Sequence, residues 1–307
     1  MTRHLPACPP GAPALPPVPC DTALTGLPPR GPAPDTQTVP APKVIATDLD
    51  GTLLGRDGRL STRNQKALQS AREHGVLTVA VTARPPRAAY RIPELAPVLD
   101  AAICCNGAVV YDTASQTAEL LRPVPLPVAR DLHGRLRAAL PGAVFAVETG
   151  ERRFTQSTFH QVGVLLNDPW ILLDPDDDLI GAADAVAELV VRVPGSTGEA
   201  MYEAVRDIDL PGVKLWHWGS FPEIECTAAE AAKGAALAAW CVDRGIGAED
   251  VIAFGDMPND VSMLAWAGRS FAVAGAHPDA AAAATGRTGP AAEDGVAQII
   301  EAVLDLT

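Results

Sequence analysis

Asp48-Leu49-Asp50-Gly51-Thr52 sets two carboxylates one residue apart, directly after the apolar run Val44-Ile45-Ala46-Thr47. In an extended chain residues i and i+2 point to one side, so Asp48 and Asp50 can face one reacting centre. Gly51 and Thr52 then allow a sharp turn. A parallel strand that ends this way delivers its side chains to the crevice at the carboxyl edge of an open α/β sheet, where ligands bind. Phosphoryl transfer is the chemistry that uses such a pair. Phosphate monoesters hydrolyse very slowly in water, so forming and then breaking an aspartyl-phosphate eases the reaction. Asp48 is the expected nucleophile. Asp50 is expected to protonate the leaving oxygen and later to accept a proton from water.

A second acidic segment, Gly255-Asp256-Met257-Pro258-Asn259-Asp260, follows another apolar run at 251–254. Pro258 suits the first turn of a helix, and Asp256 and Asp260, four apart, can look back at one point. Mg²⁺ prefers octahedral oxygen ligands, keeps several waters and takes one or two carboxylates. Asp256 and either Asn259 or Asp260 are expected near such an ion, with Asp48 and the backbone carbonyl of Asp50. Read alone, the segment is equally an acidic helix N-terminus stabilised by its dipole. Between the two acidic ends, a buried strand at 76–81 runs into Thr82-Ala83-Arg84, and Thr82 can donate to a phosphate oxygen or cap a helix. Lys233-Gly234 opens an Ala-rich helix. Among several carboxylates one cation is needed to hold nucleophile and phosphate together, and Lys233 is the candidate.

D-x-D-G-T at 48–52, T-x-R at 82–84, K-G at 233–234 and G-D-x-x-N-D at 255–260, in that order, resemble the haloacid dehalogenase-like (HAD) phosphatase superfamily. Asn106-Gly107-Ala108, the long gap before Lys233, and Ile224-Glu225-Cys226-Thr227 look like its Cof-type branch with an α/β cap. The resemblance covers residues 43 to 307. It implies Asp48 as nucleophile, Asp50 as acid and base, and Mg²⁺ held by Asp48, Asp50, Asp256 and Asn259 or Asp260. The phosphate would be met by Gly51, Thr82, Arg84, Asn106 and Lys233. Three positions depart from the branch: Ala83 stands where glycine is usual, Ala228-Ala229-Glu230-Ala231-Ala232 replaces a short glycine-containing turn, and Gly275 replaces a frequent asparagine. Ala83 tolerates a positive φ poorly, and the alanine run is expected to extend the following helix backward. Both put geometry in question and remove no catalytic group.

Alternating apolar and helical stretches from residue 43 imply a Rossmann-like α/β core with a parallel sheet. Helices are expected at 62–74, 86–95, 234–244, 258–265 and 293–304, with strands at 76–81, 101–105, 251–254 and 270–273. Residues 43–107 and 227–307 form this core, and 108–226 form an inserted α/β cap with strands at 144–147, 189–193 and 213–218. Arg56-Asp57-Gly58 signals a turn that tips a small hairpin over the site. A cap can exclude water and select the substrate. In Trp216-His217-Trp218, alternation puts the tryptophans on one face and His217 on the other, and Glu148, Arg152, Arg153 and His160 flank a polar loop able to meet a leaving group.

At 307 residues and 48% hydrophobic content the chain can hold two modules. A formal charge of -13 argues against nucleic acid and anionic membranes, both of which need a basic face. Anionic substrate must then be met locally, by Mg²⁺, Lys233, Arg84 and backbone N–H groups. Six cysteines show no metal-binding or disulfide framework and read as reduced thiols of a cytoplasmic protein. The first 42 residues hold thirteen prolines and no hydrophobic leader, and read as a disordered, dispensable extension. Together these features point to a Mg²⁺-dependent phosphatase of small phosphorylated metabolites, a sugar phosphate or a phosphorylated cofactor. A phosphomutase or phosphotransferase, and a silent binding protein on the same fold, are the alternatives.

Overall fold

A computed structural model describes residues 41–156, 159, 170–174 and 176–304, so His160 and nearly all of the proline-rich extension lie outside the described residues. Strand β1, Val44–Thr47, lies at the centre of an eight-stranded sheet. Ser61 caps helix α1, Thr62–Glu73, by accepting from the Asn64 amide, and β2, Leu77–Val81, then pairs parallel to β1. Helix α2 is short, Pro86–Tyr90, and β3, Ala101–Cys104, adds parallel to β2. The alternation expected for a parallel sheet with helices on both faces is present. Val44 and Ala46 belong to one buried cluster while Ile45, between them, belongs to another.

The sequence places the start of the inserted module at residue 108. Instead β4, Val109–Asp112, and β5, Thr117–Leu120, pair antiparallel onto β3 and extend the large sheet, so the chain leaves it at 121–125. Three residues of β4 are half-buried and β5 alternates between exposed and half-buried, so neither gives the buried apolar run that marks β1 to β3. The second sheet follows. Helix α3, Leu126–Ala139, leads to β6, Val144–Glu148, β7, Arg153–Gln156, and β8, Trp170–Leu173. Helix α4, Leu179–Ala182, β9, Glu188–Arg192, helix α5, Gly198–Val205, β10, Val213–His217, and β11, Ile224–Ala228, complete it. Its order is β10-β11-β9-β6-β7-β8, antiparallel except for β7 on β8.

The odd and even positions of this second sheet differ sharply. Phe145, Val147, Leu189, Val191, Ile224 and Cys226 join a core cluster that also holds Leu132 and Leu136 of α3 and Met201 of α5. Residues between them, Glu148, Glu188, Arg192 and Glu225, therefore occupy the other face.

Helix α6, Lys233–Val242, returns the chain to the large sheet. Strand β12, Val251–Gly255, pairs parallel to β1 on the side opposite β2, and is followed by a single 3₁₀ turn, Pro258–Asp260, and α7, Val261–Trp266. Strand β13, Arg269–Val273, helix α8, Pro278–Ala283, strand β14, Gly286–Thr288, and helix α9, Gly295–Val303, close the fold. The alanine run before Lys233 does not extend α6 backward: Ala228 ends a strand and Ala232 is extended, with φ -143 and ψ 137. A Cβ at Gly234 would strike the Ser262 backbone, so glycine lets α6 approach α7 closely. No described helix is long and apolar enough to cross a membrane. Among the described residues Cys104, Cys105, Cys226 and Cys241 are buried free thiols.

Candidate active site

Asp48, Thr82, Asn106 and Asp256 each lie just beyond the carboxyl end of a strand, β1, β2, β3 and β12 respectively. Those four strands are parallel neighbours, so the loops open on one edge of the sheet. Lys233 enters at the first residue of α6. Its Nζ donates to Asp48 Oδ1 at 2.6 Å and to Asp260 Oδ1 at 2.7 Å, and all three side chains are buried. Asp260 Oδ2 accepts from the amides of Asp256 and Met257 at 2.9 and 3.0 Å, which fixes the loop after β12. Asp256 Oδ1 accepts from Thr52 Oγ1 at 3.0 Å.

Gly51 makes this packing possible. Its φ is +84, and an added Cβ would lie 2.5 Å from Asp256 Oδ2. Ala83, by contrast, does not adopt a positive φ, so the alanine in place of the usual glycine costs nothing here.

The two acids of the first motif do not point to one spot. Strand β1 ends at Thr47, and Leu49 O accepts from the amides of Thr52, Leu53 and Leu54, so the chain is already turning between Asp48 and Asp50. The Asp50 side chain is 57% exposed at the rim and is held by Arg84, Nε to Oδ2 at 2.7 Å and Nη2 to Oδ1 at 2.6 Å. The small hairpin is present: Leu54 bridges Leu60, and Gly58 at its tip lies beside the Arg84 guanidinium.

Thr82 Oγ1 accepts from the Arg84 amide at 3.1 Å, which leaves its own proton to donate. The amides of Cys105 and Asn106 donate to Arg84 O and Thr82 O, tying the loops after β2 and β3 together. Cys105 and Asn106 take left-handed φ values of 49 and 55, and Gly107 takes 102. This turn aims the Asn106 amide at two partners. Oδ1 accepts from Asn259 Nδ2 at 2.9 Å and Nδ2 donates to Glu225 Oε2 at 3.3 Å.

Electrostatics follow from burial. Desolvation pushes the Asp48 carboxyl well above the usual carboxylate range, Lys233 opposes it, and Asp260, Asp256 and Asp50 add to it. Asp256 is pushed up to about 7, chiefly by burial and next by Asp260, against the Thr52 hydrogen bond. Burial acts to lower the Lys233 pKa, but Asp260 and Asp48 raise it above the ordinary value.

Asp48, Asp256 and Asp260 can each offer an oxygen within 4.8 Å of the others. Three carboxylates against the one ammonium of Lys233 leave two uncompensated charges, which suits a divalent cation. Asn259 Oδ1 is buried with no hydrogen-bond partner, and the donors are all hard oxygens. The residues present therefore fit Mg²⁺. Both Asp260 oxygens are engaged and the Asn259 oxygen is not, so Asn259 is the better placed of the two to meet an ion.

The polar cap residues separate. Glu148 is fully buried and pairs with Arg87 of α2 through both oxygens, while Arg153 Nε approaches it at 3.4 Å. Arg152 turns outward to Asp184. Trp216 Nε1 donates to Thr227 Oγ1 at 3.0 Å, whereas the His217 ring stacks on Tyr202 of α5, centroids 4.6 Å apart. Sequence reasoning gave Thr52 only a part in the turn and not its bond to Asp256, missed Arg87 and Glu188, and gave Glu225 no role. An acid between apolar strand residues, as in Ile224-Glu225-Cys226, is the signal that could have found the last two.

This is a parallel-sheet α/β core with an acidic, cation-bridged cleft, joined to a second sheet. The haloacid dehalogenase-like hydrolase family model matches residues 45–132 and 203–300, and the chain belongs to that family. It is 30% identical to pyridoxal phosphate phosphatase YbhA of Escherichia coli (strain K12), over 84% of this chain and 97% of that one. It is 28% identical to 5-amino-6-(5-phospho-D-ribitylamino)uracil phosphatase YcsE of Bacillus subtilis (strain 168), over 84% and 94%. A HAD subclass IIB sugar phosphatase structure superposes with a TM-score of 0.67 at 22% identity, covering 85% of this chain and 98% of that one, and bears out the mixed α/β architecture.

Proposed function

We propose that the protein is a Mg²⁺-dependent phosphatase that hydrolyses small phosphorylated metabolites, a sugar phosphate or a phosphorylated cofactor, through an aspartyl-phosphate. The observation that carries this reading is the Lys233 bridge, 2.6 Å to Asp48 and 2.7 Å to Asp260, inside a buried set of carboxylates. Asp48 Oδ attacks phosphorus, the ester P–O bond breaks, and the leaving oxygen takes a proton from Asp50. Water then attacks the aspartyl-phosphate, gives a proton to Asp50, and releases phosphate and the Asp48 carboxylate.

Asp50 must leave Arg84 to reach the leaving oxygen, and the arriving phosphate offers Arg84 a new partner. Thr82 Oγ1 and Lys233 Nζ are placed to hold the phosphoryl oxygens. When bound, Mg²⁺ would neutralise charge on the phosphoryl oxygens and keep Asp48 ionised, held by Asp48, Asp256, Asn259 and the Asp50 carbonyl.

Phosphate release from a panel of phosphorylated metabolites, with Mg²⁺ and with EDTA, tests the reading. Release in Mg²⁺ that EDTA abolishes is expected, and Asp48→Asn should slow it on the order of 10⁴-fold or more while circular dichroism stays that of the wild type. Near-normal turnover in that variant counts against the nucleophile. An isomerised ester without free phosphate points to a mutase.

A further inference from the structure

Asn106 has no exposed surface, and the turn that carries it is fixed from several sides. Its amide donates to Thr82 O at 3.1 Å, and the Cys105 amide donates to Arg84 O at 3.0 Å. Gly107, at φ 102, lies so close to Ala232 that an added Cβ would stand 2.6 Å from that carbonyl oxygen. The left-handed φ of 55 at Asn106 is one that asparagine adopts more readily than most side chains. Both ends of its carboxamide are engaged. Oδ1 accepts from Asn259 Nδ2 at 2.9 Å, and Nδ2 donates to Glu225 Oε2 at 3.3 Å. Asn259 is itself 6% exposed, and its Oδ1 is buried without a hydrogen-bond partner.

We propose that Asn106 is a positioning residue for the metal ligand Asn259 rather than a contact of the phosphate, and that Glu225 of the second sheet holds Asn106 in turn. The proposal rests on the phosphatase reading above for its cation and its phosphate. A carboxamide has one end that can ligate a cation and one that cannot: the oxygen offers lone pairs, whereas the NH2 presents only donors. Unconstrained, Asn259 offers either end. The Asn106 oxygen accepts and cannot donate, so it takes the NH2 end and leaves Oδ1 as the end offered to Mg²⁺. Asn106 keeps this orientation only while its own NH2 has somewhere else to go, and the Glu225 carboxyl oxygen accepts it there. A phosphate needs donors, and the donor end of Asn106 is drawn toward the second sheet. Partners that orient a metal ligand in this way set metal affinity by about 10- to 100-fold.

Calorimetric titration of Mg²⁺, and then of inorganic phosphate into the Mg²⁺-saturated protein, tests this in Asn106→Leu, made both in the wild type and in Asn259→Asp. A carboxylate has no wrong end and needs no positioning. In the wild-type background Asn106→Leu should raise the Mg²⁺ Kd about tenfold or more, and in the Asn259→Asp background less than about threefold. Phosphate affinity at saturating Mg²⁺ should stay nearly unchanged, whereas a lost phosphate contact would weaken it about tenfold. Asn106→Gly takes φ 55 without strain and guards against a folding defect. Water in the vacated space both donates and accepts, selects neither end of Asn259, and should give the same pattern. An equal loss of Mg²⁺ affinity in both backgrounds, an unchanged Kd, or a loss confined to phosphate overturns the proposal and spares the phosphatase reading. The expected pattern in a protein that releases phosphate from no ester sinks that reading and leaves the positioning intact. Wild-type protein that binds no Mg²⁺ ends both.

Discussion

Lys233 is the residue on which the site's charge balance turns. Its ammonium is fully desolvated, and a buried cation is tolerated only when paired and hydrogen-bonded, here by Asp48 and Asp260. Removing one partner of a buried pair costs about 3–5 kcal/mol, because the charge left behind has nothing to meet it. Lys233→Met should lose about that much stability by urea denaturation in EDTA. Mg²⁺ should return part of the loss, since it meets the same carboxylates. A variant as stable as the wild type in EDTA would mean that Asp48 and Asp260 are not both ionised around the lysine. Asp256 gives a complementary readout. Its Oδ1 is set by Thr52, and Gly51 packs against its other oxygen, so it is positioned as a ligand. Wild-type protein at Mg²⁺ a hundredfold above Kd gains about 2.7 kcal/mol, visible as a rise in Tm. Asp256→Asn should lose most of that rise at the same Mg²⁺, and an undiminished shift would place the ion elsewhere.

Elements explain why some of this was legible in the sequence and some was not. Strands β1, β2, β3 and β12 are buried on both faces, so their apolar runs stood out, and Asp48, Thr82, Asn106 and Asp256 lie just beyond them. Strand β7 is buried but polar at Arg153, Thr155 and Gln156, β8 is apolar but half open, the β4–β5 hairpin is half open, and all went unread. Partners distant in sequence were equally invisible: Arg87 and Glu148 are 61 residues apart, and nothing local distinguishes their pairing. Asp50 shows the limit of periodicity, because the i, i+2 rule holds only while the strand lasts and β1 stops at Thr47. The turn that follows depends on Gly51. A side chain there is strained at φ +84 and must displace Asp256, 2.5 Å away. Gly51→Ala should therefore cost about 1–3 kcal/mol in urea denaturation and weaken Mg²⁺ binding in the same thermal titration. A loss of stability with unaltered Mg²⁺ response would separate the backbone strain from the Asp256 contact.

Across the whole molecule, the second sheet meets the core through a shared apolar cluster and through buried charged and polar contacts, Glu148 with Arg87 and Glu225 with Asn106, and the buried acids make stability depend on pH. Desolvation pushes Glu188 well above the ordinary carboxylate range, and Glu225 up to about 8 from 4.5. In the unfolded chain Glu225 loses its proton near 4.5, whereas in the folded chain it keeps it until about 8. Between those values the folded state binds more protons, so stability falls as pH rises. The contribution is fully present below 4.5 and is gone once pH has passed about 8. Each such group can contribute at most about 1.4 kcal/mol per pH unit. Glu225→Gln cannot titrate and keeps the shape, so comparing it with wild type cancels the other ionisable groups except Glu188. Urea unfolding in EDTA from pH 5 to pH 8 should show wild type losing roughly 2–4 kcal/mol more than Glu225→Gln. Parallel curves would mean that water or a counter-charge reaches Glu225, and that the contact between sheet and core is less sealed than its buried arginines and acids indicate.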